Sequence, residues 1–280
     1  MAEGVIHLPF AREPRAGDTI RGDIRIPDGP PPRTAVIVVH GFKDFKDWGF
    51  FPWVCERLAG AGHATISFNF SRNGVGADPG RLSDLERFGS NTLSLELEEL
   101  RWILADVLDG NLLPRRPRKA ALFGHARGGA HAIIAAAAEP RVRALVTWGA
   151  LARLDRWSEE TKELWRTDGR VWVLNPQTGE QMPLGVGFLE DFEANREELA
   201  VVSAAGRVRA PWLIVHGTDD LTVWPSEAET LTRANAGARL YLVERAGHTF
   251  GAVHPFAGPT PELREAMDRT VEHLRRHLEA

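Results

Sequence analysis

The sequence predicts an α/β fold: a doubly wound, mostly parallel sheet with a small inserted cap. Three observations lead there. Short, β-branched apolar runs alternate with amphipathic stretches along most of the 280 residues. Most of those runs are closely followed by a glycine or a turn, the punctuation that ends strands. The alternation breaks once, between Leu151 and Ala204.

In chain order, residues 5–27 alternate polar and apolar and read as two strands pairing antiparallel at one edge of the sheet. Residues 34–40, 64–70, 120–123, 144–148, 212–216 and 240–243 are near-continuous apolar runs. That pattern fits parallel strands covered on both faces. Between them the helical period predicts helices over 51–58, 93–108, 127–138, 226–234 and 261–278. Thr260 suits the N-cap of the last, and Pro261 its first turn. The break at 151–204 predicts a short helix over 157–165, a hairpin of 170–174 with 181–184 through Asn175-Pro176-Gln177-Thr178-Gly179, and a helix over 188–199. The expected organisation is a core of residues 1–150 and 205–280, with 151–204 inserted as a cap.

Composition narrows the function classes. A 43% hydrophobic content is enough for a sizeable core. A net charge of −4 and no basic stripe argue against nucleic acid or an anionic membrane as partner. Arg115-Arg116-Pro117-Arg118-Lys119 reads as a solvated loop. Cys55 is the single cysteine, so no intrachain disulfide forms, and its apolar neighbours mark a buried thiol. Met1-Ala2-Glu3-Gly4 lacks the basic start of a secretory leader, and the apolar run 132–138 is too short to span a bilayer. A cytoplasmic protein is expected; a homo-oligomer stays open. No Walker lysine, dinucleotide fingerprint, H-E-x-x-H or cysteine pair is present, so neither a cofactor nor a metal is expected.

The chemistry centres on Leu122-Phe123-Gly124-His125-Ala126-Arg127-Gly128-Gly129. A strand enters Gly124 and a helix leaves from Arg127. Apart from one position this is the nucleophile elbow Gly-x-Ser-x-Gly, with alanine where serine stands. Further segments fall at later or earlier strand ends: His40-Gly41-Phe42, Gly217-Thr218-Asp219-Asp220-Leu221-Thr222-Val223, and Ala246-Gly247-His248.

On these segments the chain, from about Gly22 to Leu278, resembles the α/β-hydrolase superfamily. It is most similar there to cap-bearing serine esterases related to dienelactone hydrolases and monoacylglycerol lipases. The resemblance implies Ala126 at the nucleophile position, Asp220 rather than Asp219 as the acid, and His248 as the base. It implies backbone N–H groups of Phe42 and Arg127 as the oxyanion hole, with both side chains free to shape a pocket. The order elbow, acid, histidine is that of the superfamily. Around them His40, Gly41, Phe45, Trp48, His125, Trp157, Trp224 and His254 are candidates to line the site. The substrate expected is a small acyl or aryl ester, with a lactone or dienelactone as the alternative. A methyl group cannot attack a carbonyl. Three explanations of Ala126 stay open: a replaced nucleophile, a ligand-binding pseudoenzyme, or base-only chemistry through His248.

Overall fold

In a computed structural model, which describes residues 4–175 and 178–279, an eight-stranded sheet forms the centre. Its strands are β1 (Val5–Arg15), β2 (Asp18–Pro27), β3 (Thr34–Val39), β4 (Ala64–Asn69), β5 (Lys119–His125), β6 (Val142–Trp148), β9 (Trp212–Gly217) and β10 (Ala238–Val243). Their order is β1-β2-β4-β3-β5-β6-β9-β10. From β4 onward all neighbours run parallel, while β1 and β2 add an antiparallel edge. Every residue of β3, β4 and β9 is buried, as apolar runs covered on both faces require.

The helices follow the sequence period closely. They are α1 (Phe51–Gly60), α3 (Leu93–Asp109), α4 (Ala126–Ala138), α8 (Pro225–Ala234) and α9 (Pro261–Leu274). Thr92 caps α3 by accepting the Leu95 N–H, and Gly110 ends it with φ +84°, a left-handed conformation glycine adopts without strain. Thr260 caps α9 through the Leu263 N–H, with Pro261 in its first turn. The α-helix of α9 stops at Leu274, short of the expected 278, and the chain continues as a π-turn over Arg275–Glu279. A short helix, α2 (Leu85–Gly89), was not legible from periodicity because a single turn and a half carries no period.

Between β6 and β9 lie α5 (Glu159–Asp168), the two-stranded pair β7 (Arg170–Leu174) and β8 (Gln181–Gly185), α6 (Val186–Ala194) and α7 (Val201–Ala205). Pro176 and Gln177, in the predicted hairpin turn, lie outside the described residues, as do Met1–Glu3 of the predicted leader-free start. The helix expected over 188–199 ends at Ala194, because the Asn195 side chain donates to the Asp191 carbonyl and closes it. Among the described residues no helix is long and apolar enough to cross a membrane. Arg116 is not a free loop cation: its Nε donates to the Leu108 carbonyl at 2.8 Å, tying off the end of α3. Cys55 is buried, and desolvation pushes its thiol up to about 11.

Candidate active site

The turn from β5 into α4 is as tight as its glycines allow. A methyl group on Gly124 would sit 2.5 Å from the Gly128 carbonyl oxygen, one on Gly129 2.6 Å from Ala150 Cβ, and one on Gly128 would collide with the His40 carbonyl. Only glycines let helix, elbow and the loop after β3 close this far. Ala126 itself holds φ +52°, the left-handed region that strains any residue with a Cβ. Its methyl lies 3.1 Å from where a Cβ on Gly41 would be, so the loop after β3 faces the elbow directly. The first N–H groups of α4 have no intrahelical partner and leave partial positive charge at this end.

His248 and Asp220 meet beside it. His248 Nδ1 donates to Asp220 Oδ2 at 2.7 Å. Asp220 Oδ1 accepts from the N–H groups of Thr222 and Val223 at 2.9 and 2.8 Å. His216 Nε2, which donates to the Val223 carbonyl, lies 3.3 Å from Asp220 Oδ2. Burial raises the Asp220 carboxyl, but the hydrogen bonds of His216 and His248 outweigh it and hold the group well below the usual carboxylate range. Burial holds the His248 imidazole below its ordinary value, against the pull of Asp220. Asp219 is turned away, accepting from the Thr218 hydroxyl at 3.2 Å.

Gly149, absent from the sequence reading, belongs to this arrangement. It follows β6 with φ +51°, and a Cβ there would lie 3.2 Å from His248 Nδ1 and 3.3 Å from Asp220 Oδ2. The signal available was a glycine directly after a buried strand, shared by too many positions to single it out.

A second buried cluster fixes the elbow from behind. Glu96 on α3 accepts from Arg127 at 2.7 Å, His131 at 2.8 Å and Asn91 at 2.6 Å. Burial pushes the Glu96 carboxyl up, but Arg127 and His131 more than offset it and bring it to about 2. The Arg127 guanidinium also lies 4.2 Å over the Phe42 ring, which stacks on Phe88 at 5.7 Å and has Lys43 Nζ 5.5 Å from its centre. The expectation that these two side chains are free to shape a pocket is therefore corrected. Both are committed to locking the loop after β3 onto α4. One turn along α3, Glu99 accepts from the Ser71 N–H and hydroxyl, and burial raises it to about 7. The sequence carried a sign of both acids: they stand on the stripe of Leu93, Leu97, Leu100 and Ile103, where a solvated face would not fall.

The remaining candidates divide. His40 Nδ1 donates to the Gly41 carbonyl at 2.9 Å, and His125 Nε2 donates to the His248 carbonyl at 3.0 Å, so both order the site's loops. The His125 and His248 rings are 4.6 Å apart. Phe45 and Trp48 are buried, and both pack on His254. His254 Nδ1 accepts from the Gly49 N–H at 3.0 Å and its Nε2 donates to the Gly80 carbonyl at 3.2 Å, strapping three loops together. Trp157 packs edge-on against Trp165 and Phe188, whose ring also lies 5.7 Å from the Arg127 guanidinium. Trp224 is 63% exposed at the start of α8. No group of metal-binding side chains occurs among the described residues.

Comparison with known proteins agrees with the fold. Residues 36–258 match the model of the alpha/beta hydrolase family. The chain is 31% identical over 202 residues to 2,6-dihydropseudooxynicotine hydrolase of Paenarthrobacter nicotinovorans, covering 70% of this chain and 47% of that one. It thus spans about half the length of that curated relative. Est1E from Butyrivibrio proteoclasticus superposes with a TM-score of 0.71 at 17% identity, over 97% of this chain and 99% of that one. A dienelactone hydrolase from Anabaena variabilis gives 0.62 at 20% identity, over 97% and 99%. An eight-stranded, mostly parallel sheet with this order of strand-end segments, and a family match over most of its length, make the chain a member of the alpha/beta hydrolase family.

Proposed function

We propose that this chain is an esterase-type hydrolase of small acyl or aryl esters whose serine route is closed because Ala126 stands at the nucleophile position. The observation that carries the reading is the 2.7 Å His248–Asp220 hydrogen bond set beside an elbow that retains φ +52° without a hydroxyl. With serine at 126, His248 Nε2 takes the hydroxyl proton as the oxygen attacks the acyl carbon. Asp220 keeps Nδ1 protonated and stabilises the imidazolium. The N–H groups of Phe42 and Arg127 hold the developing oxyanion at the positive end of α4. The imidazolium protonates the leaving alcohol, and water then releases the acyl group. No cofactor takes part.

Residues 151–204 act as the cap in this reading, with Trp157 and Phe188 supplying apolar surface for the acyl or aryl group. Binding without turnover is the second reading, favoured by the alanine itself, since a methyl group supports no acyl-enzyme. The decisive experiment compares p-nitrophenyl acetate and butyrate turnover by this chain and by Ala126→Ser. The hydrolase reading expects a gain on the order of a thousandfold or more in kcat. A folded but inert serine variant overturns it in favour of binding.

A further inference from the structure

One acid at the site takes no part in the His248–Asp220 pairing. Asp44 lies three residues beyond Gly41 in the loop after β3, where its N–H reaches back to the Gly41 carbonyl at 3.4 Å. A methyl group on Gly41 would be 2.7 Å from Asp44 Oδ2, 3.1 Å from the Ala126 methyl and 3.4 Å from His125 Nδ1. Carboxylate, imidazole and the nucleophile position therefore converge on one face of one glycine.

The carboxylate is not consumed by that convergence. His125 Nδ1 is 3.6 Å away, outside hydrogen-bonding range. His125 Nε2 donates to the His248 carbonyl, and its Nδ1 has no hydrogen-bond partner. The Asp44 side chain keeps 12% of its exposure, against 1% for Asp220 and 1% for His125. Its charge also acts through space on His248, favouring the protonated ring. A partly exposed carboxylate thus shares the Gly41 face with the nucleophile position.

We propose that Asp44 is a catalytic carboxylate of this chain, holding and deprotonating the water that attacks the ester carbonyl in the absence of a hydroxyl at 126. The proposal rests on the hydrolase reading above. The water oxygen forms a bond to the acyl carbon while one of its protons passes to Asp44. The carbonyl electron pair moves onto oxygen, held by the Phe42 and Arg127 N–H groups. When it returns, the bond to the alcohol oxygen breaks, and the Asp44 proton leaves with the alcohol. Ester and water become acid and alcohol, with no co-reactant and no acyl-enzyme.

The test is p-nitrophenyl acetate turnover by the unaltered chain, Asp44→Asn, Asp44→Glu and Ala126→Ser with and without Asp44→Asn. The expected result is burst-free turnover by the unaltered chain, lowered about a hundredfold in kcat by Asp44→Asn with KM held, and partly restored by Asp44→Glu. In the serine background the loss from Asp44→Asn should be at least tenfold smaller, which also shows that the variant folds. No turnover above Asp44→Asn, or equal losses in both backgrounds, overturns the proposal: the first leaves His248 as the base or no base at all, the second makes Asp44 structural. A serine variant that gains nothing defeats the hydrolase reading instead, and is read from different proteins.

Discussion

At the strand ends around Ala126, Gly124, Gly128 and Gly129 leave no room for one added methyl group, and the buried Glu96 and Asp220 are each met by named donors. In residues 151–204, Leu164, Trp172 and Leu174 are each more than half exposed, and α5 holds its charges mainly as surface pairs such as Arg166 with Glu163 and Glu193. The first region is fixed by backbone approach and buried polar contacts, which tolerate few alternatives. The second is held by an aromatic cluster of Trp157, Trp165 and Phe188 with buried Met182, Leu184 and Leu189, while much of its outer face is exposed apolar surface and solvated ion pairs. The two regions thus differ in how much change they tolerate.

That contrast can be broken by mutation. The largest effect is expected for Glu96→Ala, which leaves the Arg127 guanidinium buried and unpaired. Removing one partner of a buried pair costs about 3–5 kcal/mol. Urea denaturation measures it, and a loss under 1 kcal/mol would show that α3 does not anchor the elbow.

Glu99→Gln tests the neighbouring acid by pH. Its folded value of about 7 stands above the ordinary glutamate value of 4.5, so the folded state binds the proton more tightly. The stability this gives is fully present below about pH 4.5 and is lost as pH rises through about 7. The variant, which has no such proton, should gain on the unaltered chain by about 2–3 kcal/mol between pH 4.5 and pH 8. Parallel stability curves across that range would remove the burial account of Glu99.

The smallest effect is expected in the hairpin. Trp172, 56% exposed on β7, should change stability by no more than about 0.5 kcal/mol when replaced by Ser. A cost above 2 kcal/mol in thermal denaturation would place β7 in the cooperative core and dissolve the contrast.

Local pattern explains what the sequence made legible. The strands and the elbow rest on short-range signals, apolar runs and glycines at fixed offsets, while the choice of Asp220 over Asp219 came from the family resemblance. The losses were long-range. Nothing near Arg127 in sequence announces that its partner is Glu96 or that Phe42 lies under its guanidinium, since side-chain pairing across elements leaves no period. The strap made by His254 was illegible for the same reason, its two partners being Gly49 and Gly80. Gly149 is a contact made by a missing side chain, which sequence records only as one more glycine.

The left-handed backbone at Ala126 has a consequence for how this protein can vary. A non-glycine residue in that conformation costs on the order of 1–3 kcal/mol, and here no hydroxyl accompanies it. Serine and alanine differ by one oxygen atom and, in the genetic code, by one nucleotide. The socket that would aim a serine is already built and already strained, so the distance between the two chemistries is a single base change with no refolding in between.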